Sequence, residues 1–241
     1  MKLNQIKTLE LLDQKIIACK KCPRLVDWRK EKATIKIAQY KNEKYWGKAV
    51  PGFGNSKAKI VVVGLAPAAN GANRTGRIFT GDKSSTWLHR ALYNNGLAKN
   101  PDSISKDDGQ ELYGVRILCA VRCAPPGDKP TKEEETNCSV YLKKEIELLS
   151  ASATVYVALG SLAFKALLNQ FKELGYEIPS PKPKFAHNFP VKIKAPNGEV
   201  KILLASYHPS PRNTNTGVLN PKMLDQVFAK AKISAGLIRS A

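Results

Sequence analysis

The chain reads as a layered α/β protein with parallel central strands, on three observations. Short β-branched runs alternate with longer segments of helical periodicity. Loops rich in Gly, Pro and Asn leave the strand-like runs at their carboxyl ends, where open α/β sheets bind ligands. Two late strand-like runs flank an Asn-Gly turn, a hairpin signal. With 241 residues, 43% hydrophobic and 24% charged, the sequence can bury one sizeable core of ordinary composition.

Each element follows in order. Ile6, Leu9, Leu12, Ile16 and Ile17 lie at helical spacing and predict a helix over about 4–18. Residues 20–58 read as basic and irregular, closing in the turn Pro51-Gly52-Phe53-Gly54. Lys59-Ile60-Val61-Val62-Val63 predicts a buried strand, and a loop rich in Gly, Pro, Asn and Arg follows over 64–82. Trp87, Leu88 and Leu92 predict a helix over 84–95, and Val115–Val121 a second strand. Thr131 with Glu134 is a capping-box signal that opens a helix to about Leu149. Thr154–Leu159 predicts a third strand, and Ser161 starts a helix ending near Gly175. Residues 176–189 are Pro- and Lys-rich loop, before the hairpin Val191–Lys194 and Glu199–Leu204. Pro221, favoured at a first helical position, opens a terminal helix. The organisation expected is a single domain over 1–241 with a basic N-terminal region, about 1–58.

Charge narrows the partner. Thirty-nine Lys and Arg against 20 Asp and Glu give +19, and such an excess implies a polyanion, because neutralising phosphates releases counterions. No basic amphipathic helix or membrane-length apolar run is evident, so no membrane role is expected. The first residues, Met1-Lys2-Leu3-Asn4-Gln5-Ile6-Lys7, lack an apolar signal core, which predicts a cytoplasmic protein. Five cysteines in that setting point to a metal or to reduced thiols rather than disulfides.

Four of them suit a metal centre. Cys19 and Cys22 form a Cys-x-x-Cys pair, and Cys123 and Cys138 supply two further thiolates. Spacing alone allows zinc or an iron–sulfur cluster. Cys119 stands apart, in the second strand. A second loop of interest, Ser206-Tyr207-His208-Pro209-Ser210-Pro211-Arg212-Asn213, follows the last strand. It brings His208 to a strand's carboxyl end, as the 64–82 loop does for its own residues. Imidazole there suits donation to an oxygen that gains charge, while Ser210, Arg212 and Asn213 suit phosphate contact. Arg74 and Arg77 of the earlier loop are further phosphate-binding candidates.

Five ordered motifs carry a resemblance across Cys19 to about Leu224. They are Cys-Lys-Lys-Cys-Pro-Arg-Leu-Val (19–26), Tyr-Trp-Gly-Lys-Ala-Val-Pro-Gly-Phe-Gly (45–54), the 64–82 loop, Val-Arg-Cys-Ala-Pro-Pro-Gly (121–127) and His-Pro-Ser-Pro-Arg-Asn-Thr (208–214). Together they resemble the uracil-DNA glycosylase superfamily, and most closely its iron–sulfur family 5. The resemblance implies a compact three-layer α/β/α domain with a central, mostly parallel sheet. It implies a monofunctional repair enzyme that flips deaminated bases from double- or single-stranded DNA and hydrolyses the glycosidic bond, working as a monomer in the cytoplasm on the nucleoid. Cys19, Cys22, Cys123 and Cys138 would hold a [4Fe–4S] cluster. Phe79 would stack on the flipped base, Gly64, Leu65 and Ala66 would line its pocket, and His208 would face the pyrimidine O2.

Two departures shape the expectation. Ala66 stands where other branches of the superfamily can carry an acid or amide that positions water, which leaves Asn73 and Asp82 as candidates for that task. Cys119 stands where related enzymes read uracil with an Asn. A thiol reads that edge poorly, which implies a broader range including hypoxanthine and xanthine. The competing class is a non-catalytic iron–sulfur or zinc protein that binds nucleic acid. It would share the charge and the cysteines but need no His and Phe converging on one pocket.

Overall fold

The computed structural model describes residues 3–237. Its helices are α1 (Leu9–Ile17), α2 (Pro23–Thr34), α3 (Ala72–Thr75), α4 (Lys83–Asn94), α5 (Lys132–Leu149), α6 (Ser161–Glu173), α7 (Pro211–Asn215) and α8 (Pro221–Ser234). Six strands, β1 (Phe53–Gly54), β2 (Ile60–Gly64), β3 (Val115–Cys119), β4 (Val155–Leu159), β5 (Val191–Lys194) and β6 (Val200–Ser206), form one sheet in the order β1-β3-β2-β4-β6-β5. The four inner strands run parallel, and the two edges, β1 and β5, are antiparallel.

The three-layer expectation holds, because the inner strands bury both faces. Every residue of β2, β3 and β4 is buried, as continuous Val/Ile/Leu runs require when helices cover both sides. On one face Ile60, Val62, Ile117 and Val157 pack with Leu88 and Leu92 of α4 and Val227 and Phe228 of α8. On the other, Val61, Val63, Leu118 and Tyr156 meet Leu142 and Ile146 of α5 and Leu167 and Phe171 of α6. The capping box of α5 forms as its sequence predicts, Thr131 and Glu134 each accepting from the other's backbone N–H.

The chain steps from β2 outward to β3, then returns past β2 to β4. That reversal is the switch point beside which open α/β sheets place their ligands. One expectation fails: residues 20–58 are not wholly irregular, since α2 occupies Pro23–Thr34. Its buried face is Leu25, Val26 and Arg29, and the third inward position is a cation. Arg24 grips Glu134 through two parallel hydrogen bonds, Nε to Oε1 at 2.8 Å and Nη2 to Oε2 at 2.7 Å, which docks α2 on the start of α5.

Candidate active site

A cleft of about 1210 Å³ opens at the carboxyl ends of β2 and β6. Leu65, Ala66, Asn70, Asp82, His208 and Ser210 are among the residues lining it. Ala66, Phe79, Asp82 and His208 also share a smaller recess there. Residues from the two loops singled out in the sequence thus converge on one space.

Phe79 is held in the left-handed region, at φ 47°, which a bulky side chain adopts only under tertiary constraint. The constraint is visible. The Phe79 carbonyl accepts from His89 Nε2 at 3.1 Å, and His89 Nδ1 accepts from the Gln110 amide at 3.0 Å. His89 is fully buried, and desolvation drops its imidazole to about 4, so the ring is neutral at neutral pH. Gly64 completes the fit, because a Cβ there would come within 2.7 Å of the Phe79 ring. The Phe79 and His208 ring centres lie 6.0 Å apart, tilted by 38°.

Desolvation lowers the His208 imidazole to about 4. The ring is therefore a neutral hydrogen-bond donor above that pH and a cation only below it. The Asn213 amide donates to the His208 carbonyl at 2.9 Å, so Asn213 braces this loop. Arg212 is exposed, and Ser210 lines the cleft.

Asp82 does two things. Its Oδ1 accepts from Ser85 N at 2.8 Å, capping α4, and its carboxyl also faces the cleft. Burial raises its pKa above the usual aspartate value, against the pull of the backbone N–H groups of Ser85 and Ser84. The second oxygen stands directly over Gly71, leaving no room for a Cβ at that position.

Four further candidates from the sequence lie as follows. Asn73 is fully buried on α3 and turns from the cleft toward α2, donating to the Arg29 carbonyl at 3.2 Å. Arg77 is spent on Asp108 at 2.6 Å and on Ser103, Thr80 and the Lys106 carbonyl. Arg74 forms part of the cleft wall, but its donors go to Glu43, Asn70 O and Gly81 O. Both guanidiniums thus already hold partners within the protein. Cys119 is completely buried beneath Gly64 and Phe79, so its thiol does not line the cleft.

The remaining four cysteines, Cys19, Cys22, Cys123 and Cys138, line a single small pocket together with Arg122 and Tyr141. Among the described residues no group of three or more His, Cys, Asp or Glu side chains stands close enough to hold a metal ion. Burial pushes the Cys123 thiol up to about 11 and that of Cys138 up to about 12. Arg29, which sequence reasoning missed, lies against this pocket. It is 3% exposed, donates to Cys123 Sγ at 2.8 Å and to the Cys19 carbonyl at 2.9 Å, and has no carboxylate partner among the described residues.

A model described as the uracil DNA glycosylase superfamily matches residues 51–232. The chain belongs to that superfamily. It is 46% identical to a type-5 uracil-DNA glycosylase of Thermus thermophilus, across 95% of this chain and 99% of the relative. A type-5 uracil-DNA glycosylase of Pyrobaculum aerophilum is 44% identical across 93% of this chain and 92% of its own length. A type-4 uracil-DNA glycosylase of Sulfurisphaera tokodaii shares 28% across 93% of this chain and 84% of its own. The 46% and 44% matches against 28% put the chain with the type-5 branch.

Proposed function

We propose that this protein is a uracil-DNA glycosylase that hydrolyses the bond between a flipped deaminated base and its sugar, leaving an abasic site. The convergence of Phe79, His208 and Asp82 on one recess carries the reading. A base inside a duplex is unreachable, so it must first leave the stack, at least cost when mispaired. Phe79, fixed at its strained backbone, offers a flat apolar face for it. As the glycosidic bond breaks, negative charge gathers on the base and positive charge on the sugar. The neutral His208 imidazole donates an N–H to the base oxygen and stabilises the departing anion without first giving up a proton. With Ala66 unable to help and Asn73 turned away, Asp82 is the side chain that orients water. Its Oδ1 is fixed by the cap, leaving the other oxygen for that task.

Few polar side chains face the recess: Asp82, Ser84 and His208. A pocket that reads so little of the base edge rejects alternatives weakly. Hypoxanthine and xanthine are therefore proposed as further substrates, in duplex or single strands, with the protein acting as a monomer in the cytoplasm. The test is excision from uracil, hypoxanthine and xanthine duplexes, with abasic sites revealed by alkaline strand cleavage. No cleavage on any of them leaves only a DNA-binding role. Binding should weaken log-linearly as salt rises, and a flat response would argue against a phosphate footprint.

The four-cysteine pocket fits an iron–sulfur cluster on the same reading. Buried thiols become thiolates only when a metal displaces their protons, and the unpaired Arg29 cation needs an anion beside it. Cys19, Cys22, Cys123 and Cys138 would hold a [4Fe–4S] group, whose metal–thiolate bonds supply a structural cross-link between the α1–α2 segment, the loop after β3 and α5. His208 sets a pH expectation. Single-turnover excision should show no inflection near 6.5 from His208, whose ring gains its proton only as pH approaches 4. An inflection near 6.5 that His208→Ala abolishes would contradict the neutral donor.

A further inference from the structure

We propose that Arg29 is the counter-cation of the group held by the four cysteines, donating to the Cys123 sulfur and setting both how tightly iron is retained and how readily the group accepts an electron. This rests on the cluster reading above. The burial and bonding of Arg29 carry it. The side chain is 3% exposed, and no Asp or Glu among the described residues pairs with it. Its acceptors are one sulfur and one carbonyl, and its Nε is buried with no acceptor at all. Guanidinium cannot shed its charge to escape burial, so an isolated position of this kind is costly unless an anion lies against it. Other buried arginines of this protein have anions. Arg77 meets Asp108, Arg74 meets Glu43, Arg116 meets Asp13, and Arg122 meets Glu145. Arg29 instead faces the thiol ring, and four thiolates around a [4Fe–4S] core would supply net negative charge there. Hydrogen bonds to cluster sulfurs and nearby charge are the levers by which a protein sets such a group's potential.

A cation held against the cluster favours the form carrying one more electron. Replacing Arg29 by Gln, which keeps a donor but removes the charge, should therefore shift the midpoint potential negative. It should also speed iron release to a chelator by about tenfold. Lys, which keeps the charge but cannot bridge sulfur and carbonyl together, should hold a potential near the unaltered protein's while releasing iron faster. The measurements are iron per chain, the visible absorbance, chelator-driven loss of that absorbance, and a spectroelectrochemical titration. A purely structural Arg29 would move none of the potentials. If Arg29→Gln keeps both the potential and the release rate of the unaltered protein, the inference is overturned. Should the Gln chain not fold, release from Arg29→Lys decides: faster than the unaltered protein supports it, equal overturns it. Unaltered protein that purifies without iron overturns the cluster reading and this inference together, whereas iron-loaded protein with indifferent variants overturns this one alone.

Discussion

His208→Ala should slow the chemical step of uracil excision by about 100-fold or more, a loss near 3 kcal/mol of transition-state stabilisation. The ring stands on the recess wall opposite Phe79, and it is the imidazole that faces this space. Its neighbour Asn213 braces the loop through the backbone carbonyl of residue 208, so removing the ring leaves that hydrogen bond in place. DNA affinity should accordingly change little, because His208 is not among the residues proposed to contact phosphate. Single-turnover rates at saturating enzyme separate the chemical step from product release. An Ala variant that excises uracil at the unaltered rate makes His208 a structural residue and removes the leaving-group mechanism. His208→Gln, which restores a neutral donor, should recover part of the rate.

How much of this was legible in the sequence depended on the range of the interaction. The inner strands, α5 with its capping box and α8 with Pro221 at its start announce themselves through local periodicity and caps. Helix α2 does not, because its inward face is completed by Arg29, and a cation at a core position erases the apolar period. The site divides in the same way. His208 and Asp82 were legible as polar groups delivered by loops at strand ends. Arg77 looked like a phosphate ligand, and only the fold brings Asp108, 31 residues on, to consume its donors. Asn73 and Asp82 are alike in composition terms, yet the short turn of α3 points one toward α2 and the cap of α4 points the other into the cleft. The strain at Phe79 and its support through His89 and Gln110 had no local signal at all.

Cys138→Ala should abolish iron binding, and Cys119→Ala should leave it intact. Both thiols are buried, and desolvation raises both to about 12, so neither burial nor acidity separates them. Position does. Cys138 lies on α5 in the pocket shared with Cys19, Cys22 and Cys123, whereas Cys119 ends β3 beneath Gly64, among the apolar residues that face α4 and α8. On the proposed ligand set, loss of one of four ligands would remove the cross-link beside which Ile6, Leu12, Ile16, Leu25 and Tyr141 pack as their own small core. That core is small beside the two that sandwich the sheet, so on the cluster reading its stability would depend on the metal more than theirs would. Thermal unfolding of the Cys138 variant should begin earlier, with α1 and α2 losing hydrogen-exchange protection before the central strands. Asn73 bonds α3 to the Arg29 carbonyl, so loosening α2 should also relax the loop that carries Phe79, and excision should fall with iron content. Iron loss from Cys119→Ala, or full iron in Cys138→Ala, would each overturn the ligand assignment.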